Sequence, residues 1–159
     1  MRETHGIPPV FREDSRVLIL GSFPSVKSRE VGFFYGHPQN RFWRTLAAVL
    51  EDEIPTTADA KKAFVLRHGI ALWDVIESCE ITGSSDASIR NAVPNDLPSL
   101  LRRTRIERIY TNGGTAHRLY EKYWRTTLGR DDICLPSTSP ANAAWTQDRL
   151  IDAWQVIKE

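Results

Sequence analysis

The sequence predicts an α/β protein, a three-layer α/β/α sandwich around a central, mostly parallel sheet of four strands. Three observations predict it. Four short apolar runs, Val17 to Leu20, Ile70 to Trp73, Ile106 to Thr111 and Ile133 to Leu135, have the length and composition of buried strands. Helical patterns lie between them, so successive strands are joined by crossovers that run parallel and cover both sheet faces. The 159 residues, 41% of them hydrophobic, suffice for one core and one domain spanning 1–159.

In chain order, Val17 to Leu20 leads into a long connection, Gly21 to Trp43, which reads as structureless. In the first helix Phe42, Leu46, Val49 and Leu50 fall at i, i+4, i+7 and i+8 and share a face. Ala58 to His68 forms a second helix, closed by Gly69 where a left-handed cap is wanted. After the strand at Ile70, Glu77 to Pro94 reads as irregular. Asp96 to Arg103 is a short third helix. Behind the Gly113 and Gly114 turn, Ala116, Leu119, Tyr120, Tyr123 and Trp124 mark a fourth. The last helix starts near Thr146, a plausible N-cap, and carries Leu150, Ile151, Trp154 and Ile157 on its inner side. Between the last strand and that helix lies a second loop, Pro136 to Trp145.

Composition excludes several classes. Apolar runs of four or five residues are too short to span a bilayer, and Met1 to Pro9 has no signal-peptide character, so a cytoplasmic protein without membrane contact is expected. Cys79 and Cys134 lie far apart, outside any CxxC or His/Cys cluster; both are expected to be buried thiols, and no metal or cofactor is expected. A formal net charge of +1 excludes a broadly basic coat, although Lys27, Arg29, Arg41 and Arg44 against only Glu30 make the first loop locally positive.

The two loops carry the functional signal. Each follows a strand, and in a parallel sheet both open on one rim, where α/β proteins bind ligands. A connection that spends three glycines, two prolines, six aromatics and several cations is functional rather than a mere link.

A strand is followed by Gly21, Ser22, Phe23 and Pro24; an HPxNRFW string stands at His37, Pro38, Gln39, Asn40, Arg41, Phe42 and Trp43; a late motif is Leu135, Pro136, Ser137, Thr138, Ser139, Pro140, Ala141 and Asn142. Residue by residue, these loops resemble the signature motifs of the uracil-DNA glycosylase superfamily. With GIALWDVIES from Gly69 to Ser78, the pattern is most similar to the hypoxanthine-DNA glycosylase, or DNA-deoxyinosine glycosylase, branch. It departs from uracil-excising branches in two places. Phe23 stands where they carry an acidic or amide residue, and Leu135 where many begin the late motif with histidine or asparagine.

The resemblance implies a DNA-repair enzyme that hydrolyses the N-glycosidic bond of a deaminated base, most of all deoxyinosine. It implies a monomer acting on double-stranded, or single-stranded, DNA, with Asn40 as the catalytic residue. An amide orients water and donates to the leaving base while positive charge develops on the sugar; the rival reading of Asn40 is a cap on the helix that follows. Tyr35, then Phe34, are the candidates to stack on the everted base, with Ser22 and Phe23 beside them; Phe33 and Phe34 read as core beneath the loop ahead of pocket, and Tyr35 as pocket. Asp74 stands where uracil enzymes place a base-reading asparagine. As an acceptor it suits the N1 hydrogen of hypoxanthine and not the N1 lone pair of adenine, or else it caps a helix beginning near Val75. Ser137, Thr138, Ser139, Pro140, Asn142, Lys27 and Arg41 are the candidate DNA contacts. His37 looks structural, tying its loop together, and Lys27 as a Schiff-base amine is disfavoured. The alternatives are a mismatch-type uracil-DNA glycosylase and, in another class, a non-catalytic nucleic-acid-binding module, although neither GxGxxG nor GK[ST] is present to support the latter.

Overall fold

The computed structural model describes residues 2–158. In chain order the elements are β1 (Arg2–Thr4), β2 (Val17–Gly21), α1 (Val26–Val31), α2 (Phe42–Val49), α3 (Ala58–Arg67), β3 (Ile70–Asp74), β4 (Ile76–Glu80), β5 (Arg90–Pro94), α4 (Leu97–Arg102), β6 (Arg108–Asn112), α5 (Gly114–Tyr120), α6 (Thr126–Leu128), β7 (Ile133–Leu135) and α7 (Gln147–Trp154). A π-helical turn, Glu121–Arg125, joins α5 to α6.

The four expected strands form one wholly parallel sheet in the order β3-β2-β6-β7. Every residue of β2 is buried, because a central strand covered on both faces has no solvent side. Its side chains alternate between two cores. Val17 and Ile19 pack with Phe42 and Leu46 of α2, Phe64 of α3 and Trp154 of α7. Leu18 and Leu20 pack on the other face with Leu97 and Leu100 of α4 and Tyr120 of α5. The caps follow the local sequence: Thr57 and Thr146 each accept a backbone N–H in the first turn of α3 and α7, and Gly69 ends the α3 segment at φ +71°.

Four expectations are corrected. The first loop is not structureless, since Ser25 caps the six-residue α1 and Gly32 ends it in the left-handed conformation. Glu77 to Pro94 is not irregular: β4 and β5 form an antiparallel hairpin, and β1 adds to its edge to make a second, three-stranded sheet. No helix begins at Val75, so Asp74 caps nothing; β3 runs through Asp74 and the chain re-enters a strand at Ile76. Of the two free thiols Cys79 is buried but Cys134 is exposed, because β7 is the edge of the parallel sheet.

Candidate active site

The strands determine what meets at the rim. Gly21 at the end of β2 lies opposite Asp74 at the end of β3, and Asn112 at the end of β6 lies opposite Leu135 of β7. The segments leaving these ends enclose a cavity of ≈ 300 Å³. The first loop contributes Ser22, Phe23, Phe34, Tyr35, His37 and Asn40, and the late loop Ser137 to Ala141; Asp74, Asn112 and the hairpin residue Asp86 complete the wall.

A relay of hydrogen bonds orients Asn40. The Thr138 backbone N–H donates to Asn112 Oδ1 at 3.1 Å, so Asn112 Nδ2 is the end that donates to Thr138 Oγ1, at 3.0 Å. The Thr138 hydroxyl in turn donates to Asn40 Oδ1 at 2.8 Å, and the Phe42 N–H donates to the same oxygen at 2.9 Å. Because a backbone N–H can only donate, the amide cannot be turned the other way round. Among the described residues no acceptor takes Asn40 Nδ2, which leaves a donor for the cavity that this residue lines. The cap and the pocket position therefore coexist: Asn40 supports the start of α2 through its oxygen, although the formal cap residue is Arg41.

Asp74 sits at the cavity's other side, 3% exposed, with Oδ2 2.7 Å from Nε2 of the equally buried His5. The Ile7 N–H donates to His5 Nδ1 at 3.1 Å, so a neutral His5 carries its proton on Nε2 and donates it to the carboxylate. Gly21 is required here. A Cβ on it would stand 2.3 Å from Asp74 Oδ1 and 3.1 Å from the Tyr35 hydroxyl. Tyr35 adopts φ +52° and stacks on Phe42 with centroids 3.9 Å apart, so only its opposite face is left for a base. Its hydroxyl is buried, and although Asn112 is near enough to ease its ionisation, no hydrogen bond to it closes. Burial and the Asp74 charge push this phenol far above its ordinary pKa, so it remains a neutral donor.

The remaining expected residues divide by position. Phe34, 1% exposed, both joins the core and lines the cavity, and Phe23 is buried in the opposite core with the Arg29 guanidinium 5.2 Å from its ring centre. The Ser22 hydroxyl donates to Asp86 Oδ1 at 2.8 Å. Asp86 is exposed at its outer edge, yet its carboxyl is crowded enough that burial raises its pKa, with the Ser22 hydrogen bond opposing. His37 accepts the Gln39 N–H on Nδ1 and the Asn40 N–H on its carbonyl, which ties the loop together.

In the late loop Ser137, Ser139 and Pro140 line the cavity, and Pro140 is exposed at the tip. Thr138 is fully buried with its hydroxyl engaged in the relay, so in this conformation it cannot also reach a phosphate. Arg41 donates to the carbonyls of Trp145, Ser139 and Asn142, and the Asn142 amide donates to the Ser137 carbonyl; both brace the loop from within. Lys27 is outside the cavity, on α1 beside Glu30.

Sequence reasoning missed His5, Asp86 and Asn112. Asn112 directly follows a predicted strand, so the strand-end rule that singled out the loops could have found it. Asp86 fell in the segment read as irregular. Nothing local marks His5, which reaches the site only through the pairing of β1.

Comparison with known proteins agrees with this geometry. The pattern of the uracil DNA glycosylase superfamily matches residues 8–158. The hypoxanthine DNA glycosylase of Methanosarcina acetivorans is 33% identical over 153 residues, 96% of each chain, and that of Methanosarcina barkeri is 31% identical over 138 residues, 86% of this chain and 87% of the relative. A solution NMR structure from Methanosarcina acetivorans, described as a uracil DNA glycosylase, superposes with a TM-score of 0.82 at 28% identity and covers all of both chains. The parallel four-stranded sheet, the motif loops on its rim and these relatives agree: the chain belongs to the uracil DNA glycosylase superfamily.

Proposed function

We propose that the chain is a monofunctional DNA glycosylase that releases hypoxanthine from deoxyinosine, acting as a monomer on duplex DNA. The observation that supports it best is one cavity bearing a carboxylate at Asp74, which accepts, and an amide at Asn40, whose free end only donates. Hypoxanthine offers N1–H to the first. At the second, the amide orients water toward C1′ and stabilises the departing base. The bond from C1′ to N9 breaks with its electron pair leaving on the base, the water oxygen bonds to C1′, and the water's proton is passed on to the base. A free base and an abasic site result. An oxocarbenium-like sugar is electrophilic enough that no strong general base is required, which fits Phe23 at the position where other branches carry a polar group.

Tyr35 and Phe34 then flank the everted base, whose lost stacking an aromatic recovers by about 1–3 kcal/mol. Ser137, Ser139 and Pro140 form the lip that presses on the DNA, held by Thr138, Arg41 and Asn142, while Lys27 approaches phosphate from α1. Uracil is a second reading, since its N3–H would satisfy the same carboxylate. Labelled duplexes carrying one inosine or one uracil, incubated with the protein and then treated with alkali, test this directly. Cutting at inosine, with less or none at uracil, is expected. Cutting only at uracil would establish the mismatch-type reading, and binding without release of either base would leave a non-catalytic module.

A further inference from the structure

The N-terminal segment runs beneath the cavity and is pinned at both ends. β1 pairs antiparallel with β4 in the register Thr4↔Ser78, and the His5 N–H donates to the Glu77 carbonyl at 2.6 Å. Five residues later Val10 exchanges backbone hydrogen bonds with Leu72 of β3, at 3.0 and 2.9 Å. Between these points Gly6, at φ +69°, turns the chain so that the Ile7 N–H reaches back to His5 Nδ1. The ring is enclosed by Phe23 and Phe34, with centroids 6.1 and 5.8 Å away. A histidine whose position, tautomer and ring packing are all determined, and whose one free donor is 2.7 Å from a cavity carboxylate, is not filler.

We propose that His5 is a positioning residue for base recognition: through Nε2–H it holds the Asp74 carboxylate in place as an acceptor facing the base. The inference rests on reading Asp74 as the base-contacting group. No other side chain hydrogen-bonds the Asp74 carboxylate among the described residues. The other groups near the pair do not replace His5. Tyr35 and Asp86 face Asp74 from the first loop and the hairpin, and Arg29 and Glu3 share a hollow with His5 on its outer side. Without the imidazole donor the Asp74 carboxylate is free to turn about its side-chain bonds and no longer presents a fixed acceptor to the N1–H of hypoxanthine.

Two substitutions separate positioning from packing. In His5→Asn the amide oxygen can occupy the place of Nδ1 and keep the Ile7 N–H satisfied, but nothing reaches Asp74. In His5→Gln the amide nitrogen reaches the place of Nε2 and restores the donor. The readout is kcat and KM, measured separately, on an inosine duplex, with unfolding midpoints for both variants. The expected result is a kcat/KM about 10-fold or more lower in His5→Asn, as for the loss of a hydrogen bond to a charged group, with the wild-type value recovered in His5→Gln. Wild-type kcat/KM in His5→Asn, or an equal loss in both variants, would overturn the inference. Asp74→Asn serves as the control: wild-type inosine excision by that variant removes the underlying reading of Asp74, whereas a loss there with wild-type kcat/KM in His5→Asn removes only the role of His5.

Discussion

Thr138 shows how one buried hydroxyl does two jobs. It accepts from Asn112 and donates to Asn40, and so decides which end of the Asn40 amide faces the cavity. Thr138→Val keeps the shape and removes both bonds. Urea unfolding is expected to show a loss of about 1–3 kcal/mol, the cost of buried polar groups left unpaired, with excision falling alongside. Full activity in a destabilised variant would show that Asn40 needs no such orientation. At Asp86 the sign is reversed. Its carboxyl titrates above the ordinary range because burial disfavours its charge, so the folded state holds the proton more tightly than the unfolded chain. Its ionisation costs no stability at pH below the unfolded value and costs progressively more as pH rises through the unfolded and then the folded value. Asp86→Asn is therefore expected to be more stable than wild type at pH 7 and equal to it near pH 3, by denaturation at both; a variant less stable at pH 7 would contradict this.

Among the elements, β2 illustrates what a short run of sequence carries. VLIL has no polar position, so its place at the sheet centre was legible at once, and the glycine after it marks the approach of Asp74 and Tyr35. Gly21→Ala puts a methyl 2.3 Å from Asp74 Oδ1 where backbone and core leave little room to yield. Excision is expected to fall about 100-fold or more, as for displacements of about 1 Å at reacting groups, with stability lower by about 1–3 kcal/mol from overpacking. Wild-type excision by this variant would mean that the position of Asp74 is immaterial. The hairpin β4–β5 was not legible because its strands are short, polar and joined with register shifts, so neither carries a clean period-two pattern. Helix α1 escaped because six residues between Pro24 and Gly32 are too few to display helical periodicity.

At the scale of the whole molecule, the convergence of two loops separated by about a hundred residues follows from parallel topology alone, which is why the rim and most of its walls were foreseeable from strand order. The sequence pattern could not reveal what long-range pairing delivers: the His5 strap beneath Asp74, or the inward turn of Thr138, Arg41 and Asn142 to build the lip. A net charge of +1 implies a narrow electrostatic footprint. DNA affinity is expected to fall with salt at a log–log slope of roughly −3, as for three or four phosphates, by fluorescence anisotropy between low and moderate salt. Flat binding would argue against a DNA ligand.

The most direct test of the mechanism compares single-turnover release of hypoxanthine by the wild-type protein and by Asn40→Ser, together with their unfolding midpoints. Serine still offers an oxygen to the Phe42 N–H but presents no amide to the sugar. The account predicts a rate about 100-fold lower or more with the midpoint little changed, whereas hypoxanthine release at the wild-type rate would contradict it.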